Sequence, residues 1–174
     1  MIGCLSLYCG YVLLSLPHRS FEDVTASTLP QHRGSAYYRA LGMRAAARGD
    51  LALAHRAAQL ETKAAPNAPA AWHRLAHAAA AQNGAPDREA LGALLQAYAV
   101  APYVTPSEME WRVAFAATYW NAVPDSLLRL TVSQIDAMGT IEQSWEVRQH
   151  WCRTLPDGAL ADAACATTPN IQRR

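Results

Sequence analysis

Aromatic, small and proline residues return at matched intervals along this chain. Tyr38, Leu41 and Gly42 recur 34 residues later as Trp72, Leu75 and Ala76, and Ala54 and Pro66 recur 36 residues later as Ala90 and Pro102. The difference fits an insertion in the turn QNGAPD, residues 82–87. A period of this length confines the chain to folds in which one supersecondary unit is laid down repeatedly, each unit burying its apolar side on the next.

The unit is helical. Ser35 to Arg48 places Tyr37, Tyr38, Leu41 and Ala45 on one side, and Gly49 stops it. Asp50 caps a second helix with Leu51, Ala54, Ala58 and Leu60 inward until Pro66. Asn67 and Pro69 open a third, with Trp72, Leu75, Ala76 and Ala79 on its apolar face and Asn83-Gly84 closing it. Asp87 caps a fourth that carries Leu91, Leu94, Leu95 and Tyr98 to Pro102. Thr105 to Glu108 reads as a capping box before Trp111, Phe115 and Tyr119, and Pro124-Asp125 starts a helix through Leu127, Thr131 and Ile135 to Met138. A second capping box, Thr140 to Gln143, precedes Trp145, Cys152 and Leu155. No alternating β-branched stretch bounded by turns occurs, so the expected fold is all-α.

A large aromatic, then leucine and a small residue, then alanine and proline at this period resembles the tetratricopeptide repeat. The match covers Ser35 to Pro102, about two repeats, with Thr105 to Met138 as a degenerate third in which Trp111 and Phe115 hold the inner positions. The family's tyrosine late in the first helix is absent, its place taken by Ala45 and Ala79; Ala58 and Leu94 replace its later aromatic. The resemblance implies a short right-handed α-solenoid of antiparallel hairpins over residues 35–155, with 140–155 as a capping helix. It also implies a concave groove that takes a protein or peptide partner, lined by Arg39, Met43, His73 and His77. Residues 156–174 are then a tail with a short helix.

The N-terminus poses a separate question. Met1 to Pro17 carries no charged side chain, and Ile2 to Leu16 spans ~22 Å as a helix against a ~30 Å hydrocarbon core. The segment reads as a membrane anchor, with a buried helix of the fold and a cleaved signal as the competing readings. The polar stretch 18–34 reads as a linker. Cys4 and Cys9 sit in the apolar run as small hydrophobes. Cys152 and Cys165 flank Pro156-Asp157-Gly158, so a helix, a turn and a returning helix could join them in an oxidising compartment; two unpaired thiols are the alternative.

Hydrophobic residues make up 51% of the 174, charged residues 17%, and the net charge is +1. These values argue against disorder and give no electrostatic case for nucleic acid or a membrane surface. His73 and His77 have chelating i, i+4 spacing, but Arg74 stands where metalloproteases carry glutamate and no third ligand follows from spacing. Gly-x-Ser-x-Gly and phosphate-loop patterns are absent, and no cofactor is implied. The expectation is a non-catalytic interaction module, a scaffold or assembly factor of a bacterial envelope complex of the surface-polysaccharide or secretion kind. It would be held at the inner membrane with a periplasmic body, or with a cytoplasmic body as the alternative. A metal-binding or enzyme-accessory protein using His73 and His77 is the competing function.

Overall fold

The computed structural model describes residues 24–138, 145–155 and 158–166. Every regular element among them is an α-helix: α1 (Ser35–Ala47), α2 (Leu51–Ala64), α3 (Pro69–Asn83), α4 (Arg88–Val100), α5 (Pro106–Thr118), α6 (Asp125–Met138), α7 (Trp145–Thr154) and α8 (Ala159–Ala166). The apolar segment Met1–Pro17 and the capping box at Thr140 lie outside the described residues. Among the described residues no helix is long and apolar enough to cross a membrane.

The helix ends are set by local chemistry. Asp50 accepts from the Leu53 N–H and Asp87 from the Ala90 N–H, each satisfying a donor that the first helical turn leaves open. Thr105 and Glu108 close a capping box in both directions. α3 starts without a side-chain cap and relies on Pro69, whose φ is already helical. Gly49 and Gly84, with φ of 77° and 74°, take the left-handed conformation that turns the chain back after α1 and α3.

Each helix then packs on its sequence neighbour: α1 on α2, α2 on α3, α3 on α4. In the first hairpin Tyr38, Leu41 and Ala45 meet Leu53, Ala54, Ala57 and Leu60. The close approach needs a residue as small as Gly42, where an added Cβ would stand 3.3 Å from that of Ala57. In the second hairpin Leu75, Ala76 and Ala79 pack with Ala90, Ala93, Leu94 and Tyr98, joined by Phe115, Val123 and Leu127 from beyond. From α5 onward the order changes, with α5 touching both α3 and α6, and α8 lying against both α6 and α7.

Three expectations are corrected by this packing. Residues 24–34 are not a detached linker, because Leu29 is buried in the first hairpin and Val24 packs beside it. The C-terminal short helix is not a tail either, since Leu160, Ala163 and Ala164 of α8 are buried with Met109, Val113 and Ile135. Finally, the buried residues of α5 are Met109, Arg112, Val113, Phe115 and Ala116, so that Phe115 is inward as expected, packed with the second hairpin, while Trp111 is only half-buried. Ala45, Ala79 and Ala116 are each 0% exposed and give one register in which α1, α3 and α5 can be aligned. In that register Arg112 stands where the first two hairpins have Leu41 and Leu75.

The joints between hairpins share one device. The Tyr38 hydroxyl donates to the Pro30 carbonyl at 2.9 Å, and the Trp72 indole N–H donates to the Pro66 carbonyl at 2.7 Å. The Gln134 amide donates to the carbonyl of Pro102. Prolines 30, 66 and 102 are spaced evenly. Each ends a segment without offering an N–H of its own, and a side chain from a following helix satisfies its carbonyl. The Tyr38 hydroxyl also accepts from the Arg33 N–H at 2.9 Å. Tyr38→Phe should therefore cost about 1–3 kcal/mol, the range for two bonds at a part-buried site. Hydrogen exchange should show the loss concentrated in residues 24–34, with the α3–α4 hairpin unchanged.

Candidate interaction surface and the buried network behind it

The four residues expected in a groove do not share one fate. Arg39 is exposed on α1, and Met43 and His77 are half-buried on α1 and α3. His73 is only 4% exposed, because α5 lies over it. Its ring stacks on Trp111 with centroids 4.7 Å apart, and its Nε2 accepts from the Arg112 Nε–H at 2.9 Å. His73 is therefore corrected from a groove residue to a buried contact between the second and third hairpins. With that lone pair engaged, it is not placed to chelate with His77. No group of three or more metal-ligating side chains exists among the described residues.

Arg112 is the centre of the network. It is 0% exposed and lies 4.3 Å above the Tyr98 ring centroid. Its NH2 group donates to the carbonyls of Ala97 and Ala101 at 2.9 Å each. Those oxygens close the C-terminus of α4, where the helix dipole is negative and a cation is favoured. Tyr98 continues the chain through a 2.6 Å bond to Thr131, whose hydroxyl donates to the Leu127 carbonyl, so that the phenol is the donor to Thr131. The network thus ties α3, α4, α5 and α6 together. Burial pushes the Tyr98 phenol up, which keeps it a donor.

The same physics recurs at the other end. Arg148 of α7, 36 residues after Arg112, is buried and donates to the Ala163 carbonyl at the end of α8 at 3.1 Å. α7 and α8 are also joined by the Cys152–Cys165 disulfide, with Cα atoms 5.0 Å apart, so the bridged reading of those cysteines holds. Trp151 is buried in this last cluster, and Trp120 packs at the turn around Gly158.

Desolvation, followed by the neighbouring charges of Arg112 and Arg74, pushes the His73 pKa down to about 3. Burial also lowers that of His77. Between pH 6.5 and about 3 the unfolded chain binds a proton at His73 that the folded chain refuses. Stability is therefore complete above pH 6.5 and falls as pH drops through that window, by up to about 1.4 kcal/mol per pH unit from this group. Denaturant unfolding across the window should show this slope. His73→Gln, which keeps an acceptor for Arg112, should flatten it.

With α5 registered on Ala116, the positions matching Arg39 and Met43 are Glu110 and Ala114, both exposed. Sequence reading missed them because it placed Trp111, which is half-buried, among the inner positions. The fully buried alanine shared by the three hairpins was the signal that could have found them. The matching positions on α1, α3 and α5 are thus the exposed Arg39, Glu110 and Ala114 and the half-buried Met43 and His77, a mixed polar and small-apolar set. Comparison with protein-family models, curated proteins and solved structures finds no match to this chain.

Proposed function

We propose that the chain is a non-catalytic protein-interaction module of the tetratricopeptide type, held at a bacterial inner membrane by residues Met1–Pro17 as part of an envelope assembly. In this reading the hairpins stack as a short right-handed α-solenoid, and the exposed strip on the first helices takes a polypeptide partner. The observation that carries it is the repetition itself: buried Ala45, Ala79 and Ala116, with proline carbonyls at even spacing closed by side chains of following helices. Each unit spends its apolar side on its neighbour, which leaves the first-helix strip to choose a partner. The disulfide supports a body on the oxidising, periplasmic side.

The test is comparative affinity capture of the full-length, detergent-solubilised chain. A Met43→Asp/His77→Asp double variant should lose a partner that the parent retains, while a Leu95→Asp variant on the exposed side of α4 retains it. Equal recovery from all three, or no recovery above background from the parent, would overturn the reading.

A further inference from the structure

The last hairpin is closed over a charge that it satisfies only in part. Arg148 on α7 is 2% exposed, and its Nη2 donates to the carbonyls of Ala163 at 3.1 Å and Ala164 at 3.5 Å. Its Nε and Nη1 are buried without a hydrogen-bond partner. Burial lowers the Arg148 pKa, and the Asp136 carboxylate opposes this only in part. The carbonyls at the end of α8 offset some of the desolvation, and the two unpartnered nitrogens leave the remainder. This guanidinium therefore gains from contact with water, and α8 is held shut against that gain. The hold is slight apart from the Cys152–Cys165 bond. α8 has eight residues, fewer than the ~12 at which a helix begins to persist without packing. Its buried residues are Leu160 and three alanines, Ala161, Ala163 and Ala164. They pack in one cluster with Met109, Val113, Ile135 and Trp151. Gly158, with φ of 149°, precedes the helix and gives the chain a pivot. Cys152 and Cys165 are half-buried, so a thiol can reach the bridge.

We propose that α8 is a redox-released cover, latched by the Cys152–Cys165 bond and opened when a dithiol reduces it. A thiolate of the dithiol attacks one sulfur of the bridge, the S–S bond breaks, and the departing cysteine takes a proton. The second thiol of the reductant then displaces the other cysteine. The reductant leaves as a disulfide, having supplied two electrons and two protons, and Cys152 and Cys165 remain as thiols. α8 is then held by one leucine, three alanines and the Arg148 bonds, against the hydration that Arg148 gains on opening. The open state exposes the apolar sides of α5 and α6 at Met109, Val113 and Ile135, and reoxidation closes it. The device depends neither on a membrane tether nor on the strip along the first helices.

The test compares the full chain in detergent before and after treatment with dithiothreitol, with alkylation and mass measurement confirming that Cys152 and Cys165 are reduced. Hydrogen exchange of the α8 amides should quicken about a hundredfold on reduction, the order expected from the lost loop closure. Hydroxyl-radical oxidation of Met109, now 2% exposed, should rise with it, while exchange in α1 to α4 stays unchanged. Removal of the dithiol and reoxidation should restore both readouts. In the reduced state Arg148→Met should exchange more slowly in α8 than the reduced parent, because the group that gains from water is gone. Amides of α8 that stay protected after full reduction overturn the cover. Exchange that quickens equally in all the described helices, or that does not reverse on reoxidation, overturns the switch. Reduced Arg148→Met exchanging as fast as the reduced parent, or faster, removes the force assigned to Arg148 and overturns the proposal.

Discussion

Arg112→Ala should destabilise the fold by about 3–5 kcal/mol, the cost of three buried acceptors left without their donor at about 1–3 kcal/mol each, together with the cavity left behind. The substitution removes the donors to His73 Nε2, Ala97 O and Ala101 O and leaves those acceptors buried. It also vacates the space above the Tyr98 ring. For a chain of this length the loss corresponds to a fall in Tm of roughly 10 °C or more by circular dichroism. Arg112→Leu restores the residue type of the first two hairpins, so it should recover packing but not the three bonds and fall between parent and alanine. Arg112→Lys should also lose stability, because one ammonium cannot reproduce the planar fork that reaches a ring nitrogen and two carbonyls. Equal melting of parent and Arg112→Ala would mean that the network contributes nothing.

Reduction of the Cys152–Cys165 bond should have the second large effect, with a different distribution. The bridge closes a separation of 13 residues, and loops of about that size contribute roughly 3 kcal/mol when closed. α8 makes its contacts with α6 and α7 alone among the principal helix pairings. The loss should therefore fall on the last hairpin, where Arg148 depends on the carbonyls of Ala163 and Ala164. Limited proteolysis of the reduced protein should cut within residues 155–166 first, with α1 to α4 protected until much later. Simultaneous cleavage throughout would show that the bridge stabilises the whole fold.

The first two hairpins were legible because their packing is local. An aromatic, a leucine and a small residue at fixed offsets can be read from spacing, as can aspartate and threonine caps and the glycines that turn the chain. The bridge between Cys152 and Cys165 was legible as one of two possibilities, since a helix, a turn and a helix suffice to bring the sulfurs together. His73 was not legible as a buried residue. Whether its face stays open depends on how α5 crosses α3, and the sequence of α3 contains nothing about that crossing. Arg112 was hidden for a related reason. A buried arginine looks like a surface one in sequence, and only its register with Leu41 and Leu75 reveals the exchange of a leucine for a helix-capping cation.

Photo-crosslinking in cells measures the proposed interaction most directly. A photoreactive residue placed singly at Met43, His77 or Ala114 on the first-helix strip should yield discrete adducts with the same partner polypeptide. At the buried Ala79, or at Gln96 on the exposed side of α4, it should yield none. Adducts at Gln96 with none at the three strip positions, or no protein adduct at any position, would contradict the account.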